Sequence, residues 1–420
     1  MKCSITEKIF QSHAGGANVR TGSILFAGID LAMGTDATMP LAIQEFNKIG
    51  RNVFDPAKIA LVQDHFVPAK DIMTANYSLE MRKFAEQHRI KNYFELGRGG
   101  ICHHIVPDEG LCYPGDLIVG ADSHTCTYGA FGAFATGVGS TDLAAAMATG
   151  KLWFKIPAAI KVVLTGKKRA YVQGKDIILK LISILGVDGA TYKALEFTGD
   201  GLADLDMSDR ITICNMAIEA GGKTGIFEVD DITREYFKKF NNNKVVENLK
   251  TGEDSAYERV IELDISEIEP LVAEPFLPSN VRAASRVDSI CINQAVLGSC
   301  TNGRIEDMQM AAGVLKGRKV HPRVRLIVIP GTQEILKQMI KENLLDAFVD
   351  AGAVISPPTC GPCLGGHMGI LGDNEVCIAS TNRNFVGRMG STSSKVYLAN
   401  PAVVAASAVR GEICHPEVLL

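Results

Sequence analysis

Three cysteines have a spacing that suits metal or cluster chemistry. Cys300 follows an apolar run, and Cys360 and Cys363 form a Cys-x-x-Cys pair further along the chain. A disulfide between Cys360 and Cys363 leaves Cys300 unexplained. A zinc site with one added histidine is a stronger alternative, because Cys-x-x-Cys pairs are common in such sites. Thiolates are also the usual ligands of iron–sulfur clusters. Spacing alone therefore leaves zinc and an iron–sulfur cluster open.

The elements around these cysteines indicate that they meet at one edge of a sheet. Four apolar runs predict strands, and two segments with apolar residues at helical spacing lie between them: 290–297, 324–329, 353–355 and 376–379 for the strands, 305–315 and 335–345 for the helices. Strands that alternate with helices predict a parallel sheet with right-handed crossovers. Ligands bind at the carboxyl ends of the strands in such sheets. We therefore expect the three cysteines to lie together with Arg383 and Arg388.

The amino-terminal part repeats this pattern, with apolar runs that lead into acids and histidines: Asp64-His65, His103-His104 and Asp122-Ser123-His124. Each group has an ordinary structural explanation, such as an acid that starts a helix beside a core histidine. An adjacent acid can also fix the tautomer of a histidine and raise its pKa, which suits proton transfer. The glycine-rich stretch 129–139 lacks the Lys-Ser/Thr element of a phosphate-binding loop, so it predicts close packing of a helix on a sheet.

Length and composition set the broad class. The chain has 420 residues, of which 46% are apolar, and a net charge of −4. This length predicts two or three domains, and the pattern along the chain divides it into 1–156, 157–266 and 285–420, with 267–284 as a linker that lacks periodicity. No apolar run is long enough to span a membrane or to act as a signal peptide. Eleven cysteines without framework spacing favour a cytoplasmic location. The charge indicates no nucleic-acid partner.

Longer motifs resemble a known family. The segments GSCTNG at 298–303, CGPC at 360–363 and NRNFVGR at 382–388 are similar to the signatures of the aconitase superfamily. The resemblance covers essentially the whole chain and is closest to the large subunits of two-subunit dehydratases. It implies a three-domain α/β fold, with parallel sheets flanked by helices and a cluster at the cleft between the domains.

The resemblance implies a cofactor and a reaction class. Cys300, Cys360 and Cys363 would hold one [4Fe-4S] cluster whose fourth iron keeps an open position. The reaction would be the reversible dehydration of a hydroxy di- or tricarboxylate. The remaining implied site residues are Asp64, His65, His103 and Asp122 for proton transfer and hydrogen bonding, and Arg383, Arg388, Asn382 and Ser123 for substrate binding. Arginine suits this role because its guanidinium group binds a carboxylate through two parallel hydrogen bonds.

Glu196 is a further candidate. It lies between two apolar residues, a position that predicts a surface-facing strand residue. The family has an active-site glutamate that bonds a histidine and follows a Gly-Ala element. Gly189-Ala190 matches that element, so the resemblance implies that Glu196 takes this role.

The resemblance also implies a partner. Single-chain members carry a fourth, swivelling domain with a serine base, and we expect no room for it after Arg388, because 403–409 predicts a terminal helix. A separate small subunit is expected to supply this domain and to govern the choice among hydroxy acids.

Two rival classes remain. The net charge counts against an RNA-binding regulator, and the lack of a His-Glu-x-x-His motif counts against a zinc hydrolase.

Overall fold

The computed structural model describes residues 3–240, 247–287 and 289–419, which form four β-sheets with helices packed against them. The strands, in chain order, are β1 Ile24–Gly28, β2 Leu31–Thr35, β3 Ile59–Val62, β4 Asn92–Phe94, β5 Leu117–Gly120, β6 Phe134–Gly137, β7 Lys151–Lys155, β8 Ala158–Thr165, β9 Lys193–Thr198, β10 Thr224–Phe227, β11 Arg259–Asp264, β12 Leu271–Ala273, β13 Val281–Ala283, β14 Gln294–Gly298, β15 Arg325–Ile329, β16 Val354–Ile355, β17 Val376–Ala379 and β18 Lys395–Ala399. The α-helices are α1 Ile5–His13, α2 Met39–Ile49, α3 Ile72–Gln87, α4 Cys102–Asp108, α5 Ser140–Thr149, α6 Gly174–Leu185, α7 Met207–Asn215, α8 Asp231–Phe237, α9 Ile305–Leu315, α10 Gln333–Lys341, α11 Leu344–Ala351 and α12 Pro401–Arg410.

The first large sheet is parallel, with the strand order β4-β3-β2-β5-β6. All residues of β3 and β5 are buried, as expected for apolar runs in a parallel sheet that is covered on both faces. Asp36 follows β2, Asp64 follows β3 and Asp122 follows β5, so three acids leave the sheet at its carboxyl edge. A separate antiparallel ribbon, β1 and β7, packs beside this sheet.

The second sheet is also parallel, with the order β10-β9-β8-β11. Its strands come from 158–264, those of the ribbon and the first large sheet from 24–155, and those of the third sheet from 271–399. The division of the chain into three domains stays a prediction.

The third sheet has the order β13-β12-β18-β17-β14-β15-β16. Strands β14 to β18 are parallel, which confirms the parallel sheet predicted from the apolar runs. The predicted helix 335–345 is divided into α10 and α11, because Asn343 between them adopts a left-handed conformation with φ of 57°. The expected linker 267–284 is wrong in part, since it contributes β12 and β13 to the antiparallel edge of this sheet.

Two glycines permit close backbone approaches near the site. Gly298 ends β14 with φ of 116°, and a Cβ atom there would lie 2.0 Å from the carbonyl oxygen of Ile329. The turn that leads to Cys300 therefore requires glycine. A Cβ on Gly129 would lie 1.6 Å from the carbonyl oxygen of Gly225, in β10. The helical segment 123–131 thus packs directly on the second sheet, which confirms the close packing predicted for the glycine-rich stretch.

Three hydrophobic cores support these elements. One lies between the first sheet and helices α1, α2, α3 and α5, and another between the third sheet and helices α9 to α12. The largest core joins residues from the first, second and third sheets, so the sheets are packed against one another. Among the described helices, none has the length and apolar character that a bilayer crossing needs.

Candidate active site

A cavity of about 230 Å³ lies where the loops at the carboxyl ends of the first and third sheets meet. Every site residue predicted from the sequence lines it, with the exception of Glu196. These residues are Asp64, His65, His103, Asp122, Ser123, Cys300, Cys360, Cys363, Asn382, Arg383 and Arg388. The structure therefore brings together residues separated by more than 300 positions, and their individual roles stay predictions.

The three cysteines are buried in this cavity, at 4%, 8% and 2% exposure for Cys300, Cys360 and Cys363. The Asn382 amide lies between two of them: its Nδ2 atom donates to Cys300 Sγ at 3.2 Å, and its Oδ1 atom lies 3.2 Å from Cys363 Sγ. The Cys360 thiol donates to the Cys363 sulfur, and this bond holds the pKa of Cys363 below its ordinary value. A thiolate is therefore favoured at Cys363, as ligand chemistry requires.

The spread of the three sulfurs bears on the two metal alternatives, zinc and a cluster. Tetrahedral zinc with Zn–S bonds of about 2.3 Å requires sulfurs within roughly 3.8 Å of one another. Among the described residues, the three sulfurs do not form a group whose members all lie within 4.8 Å of one another. A cluster of several irons holds its thiolates farther apart than a single ion does. As placed, the three sulfurs do not form a single-zinc site, and as a set of thiols they match the ligand type of iron–sulfur clusters.

A fourth cysteine, Cys102, also lines the cavity. Burial raises the pKa of its thiol well above the ordinary value, and the neighbouring charge of Asp64 and a hydrogen bond to that carboxylate raise it further. Its main-chain N–H donates to the Asp64 carboxylate at 2.8 Å. Burial also raises the pKa of Cys300, and the bond to Cys363 raises that of Cys360, so pKa does not separate Cys102 from the three candidate ligands.

Acids and histidines alternate along one wall of the cavity. His65 Nδ1 lies 2.6 Å from Asp64 Oδ1, and His65 Nε2 lies 3.4 Å from Asp122 Oδ2. The other oxygen of Asp122 lies 2.9 Å from His103 Nε2, and the Tyr128 hydroxyl lies 3.2 Å from His103 Nδ1. Two carboxylates therefore hold the His65 ring at both nitrogens, so its orientation is set before substrate binds.

These contacts decide the protonation states. Burial opposes a charge on His65, but the charge of Asp64 and the hydrogen bonds to both carboxylates outweigh it and raise its pKa well above 6.5. Burial likewise opposes a charge on Asp122, but the histidines around it hold its pKa well below the ordinary value. These shifts favour a cationic His65 beside an anionic Asp122.

A buried ion pair holds one of the two arginines. Arg383 Nε donates to both oxygens of Glu219, at 2.8 and 3.0 Å, and His124 Nε2 lies 2.9 Å from the same carboxylate. Burial raises the pKa of Glu219, but the bonds from His124 and the charge of Arg383 outweigh it and lower the pKa. Arg388 lines the cavity with a buried Nε atom that finds no partner among the described protein atoms. Two guanidinium groups are thus positioned to bind carboxylate.

Comparisons with known proteins identify the family. The model of the aconitase family (aconitate hydratase) matches residues 7–288 and 281–411. This chain belongs to the aconitase family. It is 56% identical to the 3-isopropylmalate dehydratase large subunit of Caldicellulosiruptor bescii, over 99% of this chain and 97% of the relative. The proteins of that name from Acetivibrio thermocellus and Syntrophus aciditrophicus are 56% and 57% identical, each over the full length of both chains.

A solved structure shares the fold. Aconitase X of Thermococcus kodakaraensis, in its holo form, superposes with a TM-score of 0.51 over 85% of this chain and 84% of the other. The sequence identity is 14%, so this likeness concerns the fold alone. It agrees with the aconitase-like α/β fold expected from the sequence motifs.

Glu196 does not lie in the cavity, and its predicted place in the site is corrected. It is fully buried in β9, so the surface-facing alternative is wrong as well. Its carboxylate accepts the main-chain N–H groups of Ile5 and Thr6, each at 2.8 Å, and the Tyr257 hydroxyl at 2.7 Å. Carboxylates stabilise helix N-termini, so Glu196 fastens the start of α1 to the second sheet.

Glu219 makes the histidine contact that was expected of Glu196. It bonds a histidine of the cavity, His124, and it also fixes Arg383. The sequence carried a signal for it, because the glycine pair Gly221-Gly222 follows Glu219 closely, in a segment rich in small residues. The Gly189-Ala190 element led instead to the prediction of Glu196.

Asp36 is a second residue that the sequence did not reveal. It is fully buried at the end of β2, and its two oxygens accept three consecutive main-chain N–H groups, those of Asp64, His65 and Phe66, at 3.0, 2.8 and 2.8 Å. Asp36, Asp64 and His65 are close enough to form a cation site, but these hydrogen bonds engage both Asp36 oxygens. Asp36 therefore holds the loop that presents His65.

Glu219→Gln tests the ion pair. The amide keeps the size of the side chain but leaves the buried Arg383 guanidinium without an opposite charge. We expect kcat/KM to fall by roughly 30- to 900-fold, or about 2–4 kcal/mol, with the protein still folded. The matched control is Glu375→Gln, which breaks the pair between Glu375 and the half-exposed Arg325 at 2.7 Å and should leave turnover unchanged. Equal activity of the two variants would contradict the role given to Glu219.

Proposed function

We propose that the chain is the large, cluster-bearing subunit of a 3-isopropylmalate dehydratase. The observation that carries this proposal is the full-length identity of 56–57% to proteins of that name. The cavity supports it, because three thiols lie beside two arginines and a row of acid–histidine pairs. Large subunits of homoaconitate, citramalate and dimethylmalate dehydratases remain alternatives for the substrate, and turnover with each acid distinguishes them.

The cofactor of this proposal is one [4Fe-4S] cluster held by Cys300, Cys360 and Cys363. Three thiolates leave one iron open, and when bound the cluster supplies a Lewis acid for substrate oxygen. The Asn382 amide would stabilise this ligand set, because it contacts two of the sulfurs. A reducing cytoplasm suits such a cluster and the cysteine usage of the chain.

The arginines would bind the substrate carboxylates. Arg383 uses its Nε atom for Glu219, which fixes the plane of its guanidinium group and leaves the terminal nitrogens for a ligand. Arg388 offers a buried Nε atom that has no partner among the described parts of the chain. Guanidinium groups held in this way bind carboxylate with little loss of side-chain entropy, which favours one orientation of the substrate.

The histidines would handle the proton of the leaving hydroxyl. His65 carries a proton between two carboxylates and donates it to the substrate hydroxyl as the C–O bond breaks, so that water leaves. His103, bonded to Asp122, would share this proton through the common carboxylate. Return of water to the adjacent carbon of the alkene reverses these steps and moves the hydroxyl group along the substrate.

The base that removes the carbon-bound proton would come from a small subunit. Among the described residues that line the cavity there is no lysine, and Ser123, next to Asp122, is its one serine. A base must approach the substrate from the face opposite the proton donor. The acids, histidines and arginines of the described walls have the roles above, and His124 is bonded to Glu219. The name "large subunit" of the relatives agrees with a partner that completes the site.

Loss of the cofactor tests the ligand set. Cys300→Ser, Cys360→Ser and Cys363→Ser should each abolish the brown colour of anaerobically purified protein, because serine is a poor ligand for iron in a cluster. Iron and acid-labile sulfide should be near equal in the unsubstituted protein and absent from the variants. Cys377→Ser, at a buried cysteine of β17 outside the cavity, serves as the control and should retain both. Colourless protein with stoichiometric zinc would overturn the cofactor assignment.

The pH dependence of turnover tests His65. Its raised pKa means that the proton is present at neutral pH and is lost only as the pH rises well above 6.5. Asp64→Asn removes the charge that holds this proton, so the alkaline limb of the kcat profile should move to lower pH. The control is Asp30→Asn, which breaks a similar acid–histidine contact with His13, at 2.6 Å, outside the cavity. An unchanged alkaline limb in Asp64→Asn would exclude His65 as the donor.

Dependence on a partner tests the whole proposal. The purified chain should fold and hold its cluster, yet show little or no dehydratase activity, because it lacks the base. Addition of the cognate small subunit should restore turnover with 3-isopropylmalate.

Full activity of the verified single chain would contradict the two-subunit proposal. Inactivity with every hydroxy acid in the presence of the small subunit would contradict the proposed function itself. RNA binding by cluster-free protein would instead favour a regulator.

A further inference from the structure

One face of the β1–β7 ribbon is unusually apolar for an exposed surface. The two strands are antiparallel, with Phe26 opposite Trp153 and Ile24 opposite Lys155. The inward residues Leu152 and Phe154 are buried in a core, as alternation along a strand requires. On the outer face, Ile24, Phe26 and Trp153 are 71%, 70% and 51% exposed. Exposed clusters of large apolar side chains mark interaction sites, and tryptophan is among the residues that contribute most to binding.

A groove connects this face to the active site. It has a volume of about 400 Å³, and Trp153, Lys155, Tyr192 and Lys223 line one part of it. Residues 121–123 line another part, and the same three residues line the active-site cavity. The groove and the cavity are thus neighbours on either side of one loop. A protein surface that fills the groove would touch residues that also line the active-site cavity.

Two lysines line the groove. The ammonium groups of Lys155, in β7, and Lys223, just before β10, lie 5.9 and 5.1 Å from the centre of the Tyr192 ring. Aromatic rings hold such cations in place. The ribbon face therefore offers an apolar area formed by Phe26 and Trp153. The groove beside Trp153 carries these two lysines together with the carboxylates of Asp122 and Asp142.

We propose that this ribbon face and groove are the docking surface for the small subunit, an inference that rests on the proposed function. The partner must place a base in the cavity, so part of its surface has to lie at the cavity mouth. The groove is continuous with that mouth through residues 121–123. The complementary surface of the partner would present apolar side chains to Phe26 and Trp153, and carboxylates to Lys155 and Lys223.

The test uses the small-subunit concentration that gives half-maximal activity. Phe26→Ser and Lys155→Glu in the cluster-loaded large subunit should each raise this concentration by at least about tenfold. A saturating concentration of the small subunit should restore the original kcat, because neither residue lies in the cavity. Val354→Ser is the matched control, since Val354 is 60% exposed on a strand of the third sheet. It should leave the half-maximal concentration unchanged.

Trp153 provides a second measurement that needs no surface substitution in the active complex, because it is the only tryptophan in the chain. On addition of the small subunit its emission should shift to shorter wavelength and become protected from acrylamide. The same mixture made with Trp153→Phe supplies the background for subtraction.

Each outcome has a separate meaning. Restored turnover with an unchanged Trp153 signal and no effect of Phe26→Ser or Lys155→Glu would overturn the docking surface and leave the proposed function intact. Self-association of the large subunit alone that Phe26→Ser abolishes would assign this face to a second copy of the chain, and would also overturn the inference. A small subunit that neither binds nor activates the unsubstituted protein would contradict the proposed function first.

Discussion

One carbonyl oxygen joins the two sheets that build the site. The main-chain oxygen of Asp64, at the end of the first sheet, accepts the N–H of Cys360 at 2.7 Å and the hydroxyl of Thr359 at 2.9 Å. The carboxylate of the same residue accepts the N–H of Cys102 and holds His65. Buried main-chain groups need hydrogen-bond partners, so the loop of the third sheet cannot shift without a cost. One residue therefore places both His65 and Cys360.

Alternating charges make the polar wall of the cavity stable. Six residues form a row in which opposite charges are in contact: Asp64, His65, Asp122, His124, Glu219 and Arg383. A buried charge without a partner is costly, whereas each charge in this row has an opposite charge on at least one side. The same row connects His65, the proposed proton donor, to Arg383, the proposed carboxylate-binding arginine. Substitution of one member changes the pKa values of its neighbours, so the acid–base chemistry and the substrate binding of this site are coupled.

Much of the fold could be predicted from local patterns. The apolar runs 290–297, 324–329, 353–355 and 376–379 predicted strands that the structure contains, because burial in a parallel sheet demands continuous apolar residues. The stretch 267–284 was expected to be a linker, yet it forms β12 and β13. These strands have three residues each, and so short a segment shows no periodicity. Their pairing depends on the edge that β18 offers.

The sequence by itself determined which loops carry the cysteines, the acid–histidine pairs and the arginines, because residue type and spacing are local properties and loops after parallel strands share one edge. Only the tertiary structure decided between the two glutamates. Glu196 and Glu219 are both fully or nearly buried acids of the same part of the chain. Because α1 packs on the second sheet, Glu196 binds the start of that helix. Because segment 123–131 packs on β10, Glu219 lies against His124. Such contacts join residues about a hundred positions or more apart, and their partners depend on how sheets pack, which no local pattern records.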